Sequence, residues 1–282
     1  MRLTGTGNGA SNRDNSIYDT WERRVDKDLD FTGKTILVTG SGRNIGKAII
    51  LEFAARGANV VINTRSNREE AEGVLREAEA LGANGIVVMG NAGERDVIYE
   101  IRARAEEAFG RVDIYVSNAA RRLHKDFWET TDEEWDRHLN QQLTASWHLA
   151  KAFAPAMRDA GYGRIIHMNG PDGYHGGWTR VPHSTAKGGL RIFTKSLAEG
   201  MSEYGITVND INPGAVATVR DFTTHPQFAD QDFVAAFDKK IPIRRRTEPS
   251  EIAFACAFLC SPRAAAVTGS VIHLDGGMNM FG

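Results

Sequence analysis

Cysteine is nearly absent, with two in 282 residues, too few for a disulfide framework or a multi-thiolate zinc site. Neither sign of charge dominates. Thirty-four Lys and Arg against 36 Asp and Glu leave a formal net charge of −2, without the basic surplus expected of a nucleic-acid-binding domain. No apolar run approaches the roughly 18 residues of a membrane span, and the polar opening MRLTGTGNGASNRDN carries no signal-peptide core. Internal repeats are also missing. What remains is ordinary globular composition: 41% hydrophobic and 25% charged residues, too apolar for general disorder. These features predict a soluble, cytoplasmic protein that works on a small molecule, with no nucleic acid or membrane as partner.

Residues 1–30 are rich in Gly, Thr and Asn and read as an N-terminal arm, with Tyr18, Trp21 and Leu29 available to dock on the body or on a neighbouring subunit. Residues 31–282 read as a single domain. Strand-length apolar runs lie at Ile36–Val38, Val60–Ile62, Ile86–Met89, Ile114–Val116, Ile165–Met168, Ile206–Ile211 and Val271–Leu274. Between them fall helical stretches such as Arg68–Leu81 and Arg95–Phe109, whose apolar residues recur at three and four. That alternation predicts an α/β fold, a doubly wound seven-stranded parallel sheet flanked by helices on both faces. Gly170–Pro182 and Thr218–Pro242 interrupt it and are expected to be irregular lids or binding segments. In the second, Phe222, Phe228, Phe233 and Phe237 are expected either to cover an apolar pocket or to pack on helices beneath.

The first strand runs into Thr39-Gly40-Ser41-Gly42-Arg43-Asn44-Ile45-Gly46, with a helix expected over Lys47–Arg56. A Gly-rich turn at a first strand–helix junction aims backbone N–H groups and the helix dipole at a pyrophosphate. Alone, it is equally a tight βα turn. Further landmarks follow in order: Ser117-Asn118-Ala119-Ala120, Asn212-Pro213-Gly214 with Thr218 beyond, and Thr268-Gly269 followed by Asp275-Gly276-Gly277. Together these motifs resemble the short-chain dehydrogenase/reductase family, in the common type of the 3-oxoacyl-(acyl-carrier-protein) reductases, over Phe31 to Met278.

The resemblance implies a Rossmann-type fold and a nicotinamide dinucleotide. Its holders would be Gly40, Ser41, Gly42, Arg43, Asn44, Ile45 and Gly46, then Thr64, Arg65 and Ser66, then Asn91 and Ala92. Asn118, Ala119, Ala120, Met168, Lys187, Pro213, Gly214, Val216 and Thr218 would complete the site toward the nicotinamide. Asn44 stands where the family has its middle glycine, and asparagine is the non-glycine residue best able to enter the left-handed region. Family members that prefer NAD end strand two in an acidic residue holding both ribose hydroxyls; here the chain reads Asn63-Thr64-Arg65-Ser66. Arg43 and Arg65 can grip a 2′-phosphate through charge-assisted hydrogen bonds, or stand as solvated surface arginines. Asn91 replaces the family's adenine-contacting Asp and keeps a hydrogen-bonding side chain. NADP(H) is expected over NAD(H).

At the chemical end the chain departs from the family. There a Tyr hydroxyl passes a proton, a Lys lowers its pKa and holds the ribose, a Ser hydrogen-bonds the substrate oxygen, and an Asn stands on the long helix. By register the Asn falls on Gln142, the Ser on Gly170 and the Tyr on His183; only Lys187 is kept. Imidazole can donate or accept a proton near neutrality. Beside the Lys187 ammonium and an oxidised nicotinamide, like charge disfavours imidazolium, so His183 is expected to act as a base. The alternative is a polar lining residue. Gly170 removes one donor and leaves space. Pro171, Asp172, Tyr174, His175 and Trp178 in the loop that follows are candidate substrate contacts, with Tyr174 also a candidate replacement phenol; such loops are as often simply solvated. Gln142 either shifts a relay water or is plain helix packing.

Other constellations fit no chemistry. His167, His175 and His183 recur every eight residues, a spacing that suits neither a helical metal pair nor a zinc finger, so no metal site is expected. Cys256 and Cys260 read as buried small hydrophobes, and Arg244-Arg245-Arg246 as a solvated patch or a subunit contact. Three functions remain open: an NADP(H)-dependent oxidoreductase of an alcohol or carbonyl compound using His183 and Lys187; a lyase, isomerase or hydrolase of the same fold with His183 as base; and a silent NADP(H)-binding regulator. The resemblance also implies a homotetramer or homodimer, with the helix Trp135–Met157, the helix after His183 and the chain end at its contacts.

Overall fold

Alternation along the strands segregates their side chains. Leu37 points into one apolar cluster, and Ile36 and Val38 into another on the opposite side of the sheet. In this computed structural model, which describes residues 28–120, 123–219 and 226–280, the strands are β1 (Thr35–Thr39), β2 (Asn59–Thr64), β3 (Gly85–Met89), β4 (Ile114–Ser117), β5 (Gly163–Met168), β6 (Ile206–Pro213) and β7 (Val271–Leu274). All seven pair in parallel in the order β3-β2-β1-β4-β5-β6-β7, as expected. Strand order reverses between β1 and β4, which opens a crevice at the strands' carboxyl ends.

Helices in chain order are α1 (Asn44–Ala54), α2 (Arg68–Ala80), α3 (Arg95–Phe109), α4 (Asp132–Leu139), α5 (Ala145–Asp159), α6 (Val181–Met201), α7 (Gln231–Asp238) and α8 (Pro249–Cys260). Helices α1, α2 and α8 bury one sheet face; α3, α5 and α6 bury the other. Spacing makes this possible. Helix α2 buries Ala71, Val74 and Ala78 on one stripe, and Asn67 caps its start by accepting from the Glu70 N–H. Ile98, Ile101 and Ala105 do the same for α3. A fully buried Ile contributes roughly 1.5–3 kcal/mol, so these stripes rather than intrinsic helix propensity hold the layers together.

Several boundaries differ from expectation. Helix α1 starts at Asn44, not Lys47, because the end of the glycine loop already forms its first turn. The helix expected over Trp135–Met157 is divided by a π-helical turn, Asn140–Thr144, in which the Ala145 N–H reaches back five residues to Asn140 O. Gly170–Pro182 contains two short 3₁₀ turns, Pro171–Gly173 and Trp178–Arg180, and α6 already starts at Val181. Thr218–Pro242 is not irregular throughout: Asp230 accepts from the N–H groups of Asp232 and Phe233 and so nucleates α7. Phe228, Phe233 and Phe237 pack on one another at 5.4–6.3 Å between ring centres. Phe222, and residues 1–27 of the arm with Tyr18 and Trp21, lie outside the described residues. Leu29 packs on the core and Asp28 pairs with Arg263 at 3.3 Å.

Candidate active site

A cavity of about 620 Å³ runs along the crevice. Gly40, Gly42, Arg43, Asn44, Ile45, Gly46, Thr64, Arg65, Ser66, Asn91, Ala92, Asn118, Ala119, Ala120 and Thr218 line it, where the sequence places a dinucleotide. Ser41 does not. It is fully buried; its hydroxyl donates to Val38 O (2.7 Å) and accepts from the Asn63 N–H (3.1 Å), so it locks β1 to β2 behind the loop. The cavity also takes in Asn63, Asn67, Glu70, Gly90 and Gln141, which carried no signal in the sequence.

Backbone geometry shapes the cradle. Gly40 and Asn44 both adopt positive φ, 65° and 52°. A Cβ on Gly46 would lie 2.5 Å from Gly40 O and 2.7 Å from Ser41 Cα, so α1 closes onto the loop only with glycine there. No side chain caps α1 and no acid sits in its first turn. Its unpaired N–H groups and dipole therefore present positive potential to the cavity. A phosphate-bearing dinucleotide fits this cradle. The Asn118 amide bridges Thr39 O and Gly40 O at 3.0 and 3.1 Å, fixing β4 to the loop.

The crevice deepens into an inner chamber of about 190 Å³ lined by Met168, Asn169, His183, Lys187, Pro213, Gly214 and Val216. It shares Ile45, Asn118, Ala120 and Thr218 with the outer cavity. His183 is 2% exposed, with Nε2 3.3 Å from Asp172 Oδ2. Asp172 is 7% exposed, and its Oδ1 lies 2.9 Å from Arg180 Nη1. Lys187, equally buried, donates from Nζ to Met168 O at 2.5 Å.

Beneath the chamber lies a polar network that the sequence did not announce. Asn169 donates to Asp210 Oδ2 (2.9 Å), Thr194 donates to Asp210 Oδ1 (2.8 Å), and His167 Nδ1 meets Thr194 Oγ1 at 2.8 Å. Burial lifts the Asp210 carboxyl to about 6 against the pull of those hydrogen bonds. Burial, helped by the Lys187 charge, drops His167 to about 3 and keeps its ring neutral.

The remaining candidates are not drawn in. Tyr174 lines neither cavity; its ring lies 5.4 Å from that of His273, with the Arg191 guanidinium 4.2 Å over its face, so it does not stand in for the phenol. His175 is exposed, 3.3 Å from Asn279 Oδ1. Trp178 donates to Asp126 Oδ2 (2.7 Å) and packs on Phe127 and Trp128 at the surface. Pro171 opens the turn that carries Asp172. Asp172 reaches the chamber's imidazole as a partner of His183 and lines neither cavity itself. Gln142 is buried in the π-helical turn while Gln141 reaches the outer cavity, because the wide turn rotates the register by one residue. Gly170 is extended, and a Cβ there would meet nothing within 4 Å, so the anticipated space exists. Burial pushes the Cys256 and Cys260 thiols up, the latter to about 12. Arg245 and Arg246 pair with Glu251 and Asp238.

Comparison with known proteins gives a consistent picture. The sequence profile of the family described as Enoyl-(Acyl carrier protein) reductase matches residues 40–279. The 3-oxoacyl-(acyl-carrier-protein) reductase of Escherichia coli is 37% identical over 252 residues, 89% of this chain and 100% of that protein. Its counterpart in Staphylococcus epidermidis is 30% identical over 247 residues, 88% of this chain and 99% of that protein. The crystal structure of a provisionally assigned gluconate dehydrogenase from Agrobacterium tumefaciens matches with a TM-score of 0.82 at 29% identity, over 89% of this chain and 97% of its own. A provisionally assigned short-chain alcohol dehydrogenase from Sinorhizobium meliloti matches at 0.81 and 30%, over 89% and 98%.

Proposed function

The chain belongs to the short-chain dehydrogenase/reductase family, a family of oxidoreductases, and from that premise we propose that it is an NADP(H)-dependent oxidoreductase of a small alcohol or carbonyl compound, with His183 handling the proton. The observation that carries this reading is the continuity of the cleft. One groove leads from the positive end of α1 into a chamber where a buried imidazole and a buried ammonium stand one helical turn apart.

The glycine loop and the first turn of α1 would hold the diphosphate. Asn91 and Ala92 would flank the adenine, and Asn118, Pro213, Gly214 and Thr218 the nicotinamide end. Arg43, Arg65 and Ser66 favour a 2′-phosphate, with Glu70 on the same cavity wall as the opposing charge among the described residues. When bound, the cofactor supplies the hydride acceptor or donor. His183 takes the hydroxyl proton of the alcohol, a task within reach of imidazole at neutral pH. Lys187 holds the ribose and adds positive potential beside the developing oxyanion.

Turnover is tested by following reduced-nicotinamide absorbance with NADP⁺ or NADPH across a panel of small hydroxy and oxo compounds. His183→Ala is expected to lower kcat roughly 10²- to 10⁴-fold while calorimetry shows unchanged nucleotide affinity. Turnover that survives complete removal of nucleotide, or that ignores His183→Ala, would overturn the reading.

A further inference from the structure

Resting on that reading of His183, we infer that Asp172 is a positioning residue that fixes which nitrogen of the His183 ring carries the proton, and that Arg180 fixes Asp172 in turn. A carboxylate 7% exposed is costly unless it is paired, and this one stands between an arginine at 2.9 Å and an imidazole at 3.3 Å.

Its place is set by packing. The turn Pro171–Gly173 presses so closely on α6 that a Cβ on Gly173 would lie 3.0 Å from both Lys187 O and Asn169 Oδ1. The next turn, carrying Arg180, is pinned from outside: the Lys125 N–H donates to Thr179 O (2.9 Å) and Trp178 to Asp126 Oδ2 (2.7 Å). Two anchored turns thus converge on one ring.

Donor and acceptor capacity dictates the rest. An ionised carboxylate only accepts, so the neutral ring donates from Nε2 and its lone pair lies on Nδ1. Arginine only donates, so Asp172 cannot turn away without abandoning that pair. Among the described residues, the charged groups placed near the ring are Asp172 and Arg180 from the two turns and Lys187 from the next turn of α6; Asn169, which lines the same chamber, donates to Asp210 on β6. Weighed against Lys187 and an oxidised nicotinamide, the ring is expected to resist charge. The carboxylate changes that balance: when the ring takes up the substrate's hydroxyl proton, the imidazolium it becomes has a negative partner 3.3 Å from Nε2. The ring then returns its proton to water. The same pair that orients the base therefore stabilises it once charged.

Nitrogen-15 NMR of histidine-labelled protein reads the assignment directly. The neutral wild-type His183 ring is expected to carry its proton on Nε2. In Asp172→Asn, Arg180 captures the amide oxygen and turns the NH₂ toward the ring, which must then accept at Nε2 and carry its proton on Nδ1. That reversal is expected to accompany a kcat lower by roughly 10²-fold or more with KM changed less than about threefold. A wild-type ring protonated on Nδ1 overturns the inference, whether or not the variant folds; so does an unchanged tautomer in Asp172→Asn. Lower melting temperature with no change of tautomer would assign Asp172 to loop stability instead. The tautomer needs no turnover, so the absence of a redox activity would remove the proposed function and leave this result standing on its own.

Discussion

Asn44 and Val219, 175 residues apart, hold each other by two hydrogen bonds: Asn44 Nδ2 donates to Val219 O (3.1 Å) and the Val219 N–H donates to Asn44 Oδ1 (2.9 Å). The residue that replaces a family glycine thus does more than tolerate φ of 52°; it ties the glycine loop to the segment after β6. Asn44→Gly keeps the backbone conformation and removes the tie. Each lost bond costs about 0.5–1.5 kcal/mol, about 1–3 kcal/mol for the two, so NADPH affinity is expected to fall by at most about 5- to 150-fold, less whatever part of the loss appears instead as a lower melting temperature. Asn44→Ala loses the tie and adds roughly 1–2 kcal/mol of backbone strain, which thermal melts would register. Unchanged affinity in both variants would show that the tie does not serve the cofactor.

Charge at the end of β2 should decide the cofactor. Arg43→Ala and Arg65→Ala each remove a charge-assisted donor worth about 1.5–3 kcal/mol. NADPH affinity is expected to drop roughly 10- to 100-fold in each, while NADH affinity moves little. Glu70→Gln should act in the opposite direction by removing a like charge from the same wall. Calorimetric titration with both nucleotides checks all three, and equal losses for NADPH and NADH would show that the arginines do not read the 2′-phosphate.

Two glycines of the site differ sharply in what they tolerate. Gly170 has extended backbone and open space before it, so Gly170→Ser should leave the melting temperature within about 2–4 °C of wild type. Gly46 faces backbone at 2.5 Å, so Gly46→Ala must displace the loop, at a cost of about 1–3 kcal/mol, and should abolish measurable dinucleotide binding. Intact binding in Gly46→Ala would mean that the cradle reshapes freely.

The buried Asp210 makes stability depend on pH. Its carboxyl keeps its proton to about 6 in the native state but only to its ordinary value of 3.8 when unfolded. Between those values the native state binds more protons, so this contribution is present below 3.8 and lost as pH rises through about 6, a change of roughly 3 kcal/mol. His167 works the other way: held to about 3 against an ordinary 6.5, it adds stability as pH rises across that window and withdraws it on acidification. Asp210→Asn removes only the first effect. Urea melts should therefore show the variant gaining on wild type by roughly 3 kcal/mol between pH 4 and 7, whereas parallel curves would mean that Asp210 is ionised throughout.

Most of the outer cavity's lining was legible in the sequence because its parts are local. Gly40–Gly46, Thr64–Ser66, Asn91 and Asn118–Ala120 all sit at the carboxyl ends of strands whose apolar alternation is readable. Ser41 was misplaced since a motif does not say which of its residues turns inward. The π-helical turn at Asn140–Thr144 has no spacing signature; it moved Gln141 to the cavity and Gln142 away from it.

The linear order of residues was enough to determine the layered parallel sheet, the glycine cradle and the substitution of an imidazole beside Lys187, since each depends on side-chain periodicity or on neighbours along one turn. Tertiary packing alone decided what surrounds that imidazole. Asp172 and His183 meet across separate elements, and His167 faces Asp210 only through the pairing of β5 with β6. A carboxylate's partner is chosen by distance in space, and in water-excluded surroundings that distance determines which protons stay.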